Sequence, residues 1–505
     1  MQVPEFSFAE LLTRLPDGGA VVTSDGTLSA ADIPGLASRA AGALAELGVH
    51  PGDRLGLILH NQQAMLAAWF GSAWAGVTFI PINTHLRGDI LKYTVSHCEP
   101  ALLIVADDLV TVVRELCPNA RLLSATDWMV MVHGSPERPM ARTGDLGLIL
   151  YTSGTTGRPK GVAWHPVTQA RHAWFYSRTF VPLSPGEVGH TAFPLFHVTS
   201  MGVGMACLLN GATAYIDPRF SASSFWDRIR ETRASMFTYL GATLAILLKA
   251  VPSPRDREHN LRYGMGGAAT QEIWQAFQTR FSVPLLEGYG QTEMAACWAA
   301  NPAASGRLGS VGPFCDRAEI RLEPVEKGSN IGLLHVKPRE PHLIMEGYYK
   351  DPETTASVFN DGWYNTRDLL RVDDDGWLYF VGRVTDSIRR RGENISAQEI
   401  ERVVGQYPDI LEVAAVGEAS DLTEQDVALY YVRRSESAID SRKLADWCRA
   451  NLPDFMVPRY YREVTALPKT ATERVQKAQL SNAPVLIAFD AESGVTVRGP
   501  PVSRE

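Results

Sequence analysis

Lysine is the scarce charged residue of this sequence, with nine among 505 residues against 39 arginines. That scarcity excludes a lysine-rich nucleic-acid or membrane surface, and it leaves any chemistry that needs an ammonium group few positions to use. Cysteine is sparse as well. Cys98, Cys117, Cys207, Cys297, Cys315 and Cys448 are scattered, with no CxxC pair and no histidine cluster at metal-ligand spacing. A disulfide framework and a zinc site are thereby excluded as organising features, and reduced, mostly buried thiols of a cytoplasmic protein are expected. No basic segment followed by an apolar one opens the sequence, and Glu5 and Glu10 fit an export or transit peptide poorly. Long apolar runs are lacking too. Residues 65–82 carry no charge, but Gly71, Ser72 and Gly76 interrupt them and their end is β-branched. This predicts a core helix turning into a buried strand, with no integral membrane segment.

What remains is 45% hydrophobic and 21% charged, with a net charge of −8. Such a chain holds two to four domains of roughly 100–200 residues each. Small-molecule chemistry is the class left open, without nucleic acid as a partner. Apolar strand candidates at 55–59, 101–105, 146–151 and 212–216, with an amphipathic run at 61–75, predict an α/β fold with largely parallel sheets. From about residue 306 the sequence changes to short strand-like pieces with Gly and Pro turns. A second α+β pattern follows: helix 397–406, strands 411–417 and 427–432, helix 441–451. The expected division is a large domain over 1–384, a small domain over 385–482, and residues 483–505 as a hairpin or a loosely attached tail.

The densest chemistry lies in Leu150-Tyr-Thr-Ser-Gly-Thr-Thr-Gly-Arg-Pro-Lys-Gly-Val162. After a strand it sets hydroxyls, glycines, Arg158 and Lys160 together, which suits the anionic oxygens of a polyphosphate. It differs from the G-x-x-x-x-G-K-[ST] loop because Pro159 separates glycine from lysine and resists a continuing helix. The run resembles the phosphate-binding signature of adenylate-forming enzymes, the superfamily of acyl-CoA synthetases, peptide-synthetase adenylation domains and luciferases. Further segments resemble that family in the same order: Phe193-Pro-Leu-Phe-His197, Gly264-Met-Gly-Gly-Ala-Ala269, Leu286-Glu-Gly-Tyr-Gly-Gln-Thr-Glu-Met294, Trp363-Tyr-Asn-Thr-Arg-Asp368, and the run from Gly382 to Ser396.

The resemblance implies a large N-terminal domain of parallel and mixed sheets with a small β-barrel-like subdomain, and a mobile α+β C-terminal domain pivoting near Thr385. It implies ATP, Mg²⁺ and coenzyme A as cofactors. Thr152, Ser153, Gly154, Thr155, Thr156 and Gly157 would then hold phosphate with Lys160, and Thr155 and Glu293 would hold the metal. Gly267, Ala268, Ala269, Gly288, Tyr289 and Gly290 would receive adenine, and Thr292 the α-phosphate. Asp368 and Arg383 would bind ribose. His197 would border the acyl site, and Gly392, Glu393 and Asn394 would line the pantetheine passage. Tyr239-Leu-Gly-Ala-Thr243, Phe193, Met201 and the glycines at 264–267 either shape an apolar pocket for a medium-chain or aromatic acid or belong to the core.

One segment departs from the family. Glu473-Arg474 stands where a Gly-Lys pair is usual, so Arg474 serves adenylation, Lys477 replaces it, or the step is specialised. The expected activity is adenylation of a small-molecule carboxylic acid followed by thioester formation with coenzyme A. The alternative is an adenylate-forming ligase with another acceptor or an unusual acid, such as an amide ligase or a nitrite-dependent diazo-forming enzyme acting on an aromatic amine. A nucleotide-binding pseudoenzyme is a third reading, which the presence of Glu293, Asp368 and Arg383 opposes. A homodimer is left open.

Overall fold

Four strands, Arg54–Ile58, Thr78–Pro81, Leu102–Val105 and Leu148–Thr152, lie in one seven-stranded sheet, and the pairs they form with one another are parallel. Their residues are almost all apolar and buried, as strands covered on both faces require. The computed structural model describes the chain except for residues 1–2, 143, 153–158, 303–304, 306, 326–327, 385–386, 391–392, 421–424, 435–438, 453–455, 471–472, 474 and 499–505. The uncharged stretch at 65–82 folds as expected. It supplies most of the helix Gln63–Trp74, 12 residues long, and then the buried strand Thr78–Pro81. A Cβ on Gly71 would meet the Cβ of Ala40 at 2.4 Å, so this glycine lets the helix Ile33–Glu46 approach closely. No helix among the described residues is long and apolar enough to cross a membrane.

An eight-stranded sheet carries the strands Val188–Thr191, Met236–Leu240, Tyr263–Gly267 and Leu285–Tyr289, each parallel to the next. Its last strand, Ala299–Asn301, runs antiparallel to Leu285–Tyr289. A third, five-stranded sheet contains Ala318–Pro324, Ile331–Pro338, Phe359–Asn360, Trp363–Val372 and Leu378–Arg383, with antiparallel pairing at its last three strands. It holds the short strands anticipated from the texture beyond residue 306 and is the small barrel-like subdomain that the resemblance implies.

The chain separates into two compact units, one of residues 1–320 and 336–365, the other of residues 321–335 and 366–505. The second unit contains the anticipated α+β pattern: helices Ala397–Val404 and Ser441–Asn451, and strands Ile410–Ala419 and Gln425–Arg433. Tyr431, Tyr461, Ile400, Leu444 and Phe489 share its core. Each such side chain stabilises the unit by about 1.5–3 kcal/mol through burial. The described part of residues 483–505 contains a hairpin. Val485–Asp490 pairs with Tyr460–Val464 and with Thr496–Arg498, and burial of Phe489 against Tyr461 anchors the hairpin in the sheet.

Candidate functional site

In the first unit the strands Leu148–Thr152 and Lys160–Trp164 form an antiparallel ladder with Thr152 opposite Lys160. Their connection carries Ser153, Gly154, Thr155, Thr156 and Gly157, which lie outside the described residues. The Lys160 ammonium stands 5.4 Å from the centre of the Tyr348 ring, and the Tyr348 hydroxyl donates to Glu293 Oε1 at 3.0 Å. Tyr348 reaches this position because Gly347–Tyr348 pairs with Val162 and Ala163. Thr292 and Glu293 open a short 3-10 turn just beyond Tyr289. The backbone of that turn is tied on both sides. Trp164 Nε1 donates to the Thr292 carbonyl at 3.0 Å, and the Met345 amide donates to the Glu293 carbonyl at 2.8 Å. Ala295 leaves the turn at φ +42° and ψ −85°, a positive-φ conformation that residues with a side chain rarely adopt. Its carbonyl accepts from His172 Nδ1 at 2.8 Å, and burial holds the His172 pKa down at about 4.

The adenine candidates sit at the ends of neighbouring parallel strands, Tyr263–Gly267 and Leu285–Tyr289. Glycine is required there by close packing. A Cβ on Gly288 would lie 2.7 Å from the Phe180 ring, and one on Gly290 would lie 2.0 Å from the indole of Trp298. Ala268 turns the chain at φ +63°, and its carbonyl would stand 1.9 Å from a Cβ on Gly241. Beneath this turn lies Glu287, only 3% exposed. Its carboxylate accepts from the Ala269 amide at 3.1 Å and from the Tyr239 hydroxyl at 2.6 Å. Burial pushes the Glu287 pKa up to about 7, against the opposing pull of the Tyr239 hydroxyl and the Ala269 and Ala268 amides. Tyr239 itself is fully buried in an apolar cluster with Phe237, Leu244 and Trp274. Core packing is therefore the reading that holds for Tyr239.

The pKa of Glu287 has a thermodynamic consequence. Its folded value lies above the ordinary carboxylate value of 4.5, so its contribution to stability is complete below pH 4.5 and is lost as pH rises through about 7. The expected loss is about 3 kcal/mol. Glu287→Gln should remove this slope, since an amide can still accept from Ala269 while Tyr239 donates to the Leu286 carbonyl at 3.2 Å. Melting temperatures of both proteins between pH 5 and 9 test this; parallel curves would refute it.

His197 caps the helix Val198–Leu209, its Nδ1 accepting the Thr199 amide at 3.2 Å. Nε2 therefore carries the proton in the neutral ring, and burial holds the pKa at about 4. The segment before it is fixed by Asn61, which donates to the carbonyls of Phe193 at 3.0 Å and Asp217 at 2.8 Å and accepts the Leu195 amide at 2.6 Å.

In the second unit, Asp368 is 1% exposed and pairs with Arg383 Nε at 3.0 Å, across strands whose register sets the two residues opposite one another. Thr366 ends the approach by accepting the Asp368 amide at 3.1 Å, and Arg367 between them adopts φ +59°. Asp368 faces inward with Tyr364, Thr366 and Leu370, the alternate residues of the same strand. Lys477 forms a 2.7 Å ion pair with Glu401. Glu393 and Asn394 fall on the short strand Glu393–Ser396, whereas Gly392 and Arg474 lie outside the described residues.

Four residues that shape these sites have no sequence signal of their own: Asn61, His172, Glu287 and Tyr348. Only Glu287 lies within a recognised segment, next to Gly288.

Residues 8–349 match the AMP-binding enzyme family, and residues 399–474 match the AMP-binding enzyme C-terminal domain. A crotonobetaine/carnitine–CoA ligase of Salmonella paratyphi B is 30% identical over 474 residues, covering 88% of this chain and 91% of that protein. The crystal structure of ATP-bound MatB from Rhodopseudomonas palustris superposes with a TM-score of 0.84 at 25% identity, covering 94% of this chain and 99% of that one. A benzoate CoA ligase from Burkholderia xenovorans LB400 gives 0.84 at 26% identity, with 94% and 99% covered. The chain belongs to the AMP-binding, adenylate-forming enzyme family and is an acid–CoA ligase of it.

Proposed function

We propose that the acid is medium-chain or aromatic and that its carboxylate attacks the α-phosphorus of ATP, releasing pyrophosphate, before the acyl group passes to the thiol of coenzyme A. The observation that carries this reading is the tied turn at Thr292 and Glu293, linked through Tyr348 to the neighbourhood of Lys160. Such a turn aims a hydroxyl and a carboxylate at one phosphate without reorganisation during the reaction. Thr292 bonds the α-phosphate and Lys160 neutralises phosphate charge. Tyr289 stacks on adenine, and Asp368 with Arg383 receives the ribose hydroxyls.

Glu293 is a partly exposed carboxylate, and no cluster of three or more His, Cys, Asp or Glu side chains able to hold a metal occurs among the described residues. One carboxylate with phosphate oxygens and water suits Mg²⁺. When bound, that ion would supply charge neutralisation at the phosphates. Thr155, the second proposed metal-facing residue, would act through its hydroxyl.

His197 presents its Nε2 proton as a neutral donor beside the acyl group, with Phe193 and Met201 supplying apolar walls. The small domain, proposed from residue 385, pivots near Thr385 and brings Gly392, Glu393 and Asn394 to the pantetheine arm. AMP release measured with a panel of linear and aromatic carboxylates, with and without coenzyme A, tests the proposal. Release that depends on coenzyme A and favours medium-chain or aromatic acids supports it. Release only with an amine or with nitrite would transfer the enzyme to another acceptor class.

A further inference from the structure

Behind the Thr292–Glu293 turn lies a buried side chain that meets two acceptors with one proton to give. His172 belongs to the helix Pro166–Thr179 and is 3% exposed. Aromatic rings surround its imidazole, with centres at 5.1 Å for Trp164, 4.5 Å for Tyr176 and 6.3 Å for Trp298. The helix Val198–Leu209 packs closely on this one, since a Cβ on Gly202 would stand 2.6 Å from the Tyr176 ring. Such packing fixes where the imidazole can sit.

Both ring nitrogens meet backbone carbonyls. Nδ1 is 2.8 Å from the Ala295 oxygen, and Nε2 is 3.2 Å from the Val198 oxygen. A carbonyl only accepts, so each contact calls for an N–H, and a neutral imidazole carries one. Burial keeps the ring neutral. The shorter contact assigns the proton to Nδ1, which leaves the Nε2 lone pair facing the Val198 oxygen. The two carbonyls serve different parts of the molecule. Ala295 ends the turn that carries Thr292 and Glu293, whereas Val198 follows His197. Trp164 holds the other end of the turn by donating to the Thr292 carbonyl at 3.0 Å. Two adjoining rings thus hold both ends of a turn 128 and 123 positions away.

We propose that His172 is a positioning residue for adenylation: its single proton, on Nδ1, holds Ala295 and with it the Thr292–Glu293 turn, and the opposite tautomer, bonded to Val198, releases that turn. The effect on the reaction rests on the function proposed above; the place of the proton does not. Orientation at the phosphate matters most in the transition state, so loss of the Ala295 bond lowers the maximal rate and leaves the KM of the acid nearly unchanged.

Asparagine and glutamine separate the two contacts, because the amide nitrogen of asparagine falls near the place of Nδ1 and that of glutamine near the place of Nε2. Both variants lose the ring from the same packing, so their melting temperatures should fall alike. Their pyrophosphate exchange should not. His172→Asn should keep maximal exchange within about threefold of the parent, whereas His172→Gln should lower it about tenfold, with the KM of the acid within about threefold in both. Equal losses of exchange in the two variants would reduce His172 to a packing role and overturn the proposal. The tautomer is read directly in the full chain by nitrogen-15 magnetic resonance of labelled histidine, the His172 signals being those missing from either variant. A proton on Nδ1 and a bare Nε2 are expected; a proton on Nε2 would overturn the assignment. Exchange absent from the parent with every acid tested would overturn the proposed function and with it the effect on adenylation, while the spectrum decides the place of the proton independently.

Discussion

Replacing Glu293 with Gln is expected to lower pyrophosphate exchange by about 10²- to 10³-fold while leaving the melting temperature close to that of the parent enzyme. The two effects separate because glutamine keeps an oxygen for the Tyr348 hydroxyl, now at 3.0 Å from Glu293 Oε1, and loses only the charge. The main-chain bonds that set the turn, from Trp164 and Met345, do not involve this side chain. Tyr348→Phe provides the graded control. It removes the hydroxyl that positions the carboxylate but leaves the charge, so a loss of about tenfold is expected, partly recovered at high Mg²⁺. A Glu293→Gln enzyme with undiminished exchange at saturating Mg²⁺ would remove Glu293 from the metal-binding role.

Arg474→Ala should lower exchange by about 10²-fold, whereas Lys477→Ala should change it by no more than about threefold. The neighbours of Arg474 support this assignment. Lys477 is committed to Glu401 at 2.7 Å. Lys469 lies between Glu412 at 2.5 Å and Glu473 at 3.2 Å. The loop itself keeps a glycine-like conformation where the resembling family carries glycine: Glu473 adopts φ +61°, with its amide on the Thr470 carbonyl at 2.9 Å and Lys469 bridged to Val475. An arginine at position 474 supplies the cation that the resembling family takes from lysine, with a wider, planar set of donors. Arg474→Lys should therefore keep exchange within about tenfold of the parent. Thioester formation from added acyl-adenylate should be little affected in all three variants. Equal losses in Arg474→Ala and Lys477→Ala would show that the lysine takes part.

The parts of this site that were legible in the sequence are those in which function compresses many unusual residues into a short run. Glycines, hydroxyls and Lys160 crowd around 150–162, and Gly-Tyr-Gly-Gln-Thr-Glu at 288–293 begins on the last two residues of a strand. The parallel strands were legible because burial on both faces leaves continuous apolar runs such as Leu102–Val105. The supporting residues were not legible, because their partners are remote in sequence. Asn61 reaches Phe193 across 132 positions, His172 reaches Ala295 across 123, and Tyr348 reaches Glu293 across 55. No periodicity encodes such a pair; only the folded strand order brings it together. Tyr239 was ambiguous for a related reason. An aromatic residue at a strand end reads alike whether it lines a ligand site or covers a buried acid, and the Glu287 carboxylate that decides the matter belongs to another strand.

The same carboxylate ties nucleotide binding to solution acidity. With a pKa near 7, Glu287 is divided between charged and neutral forms in the resting enzyme at physiological pH. In the proposed binding mode adenine lies above the turn of Ala268 and Ala269 and the attached phosphates add negative charge to the site, which favours the neutral form, so the population shifts and a fraction of a proton is taken from the medium as the ligand arrives. The heat of binding then includes the ionisation enthalpy of whatever buffer gives up that proton, and the enzyme with glutamine at position 287 lacks this contribution.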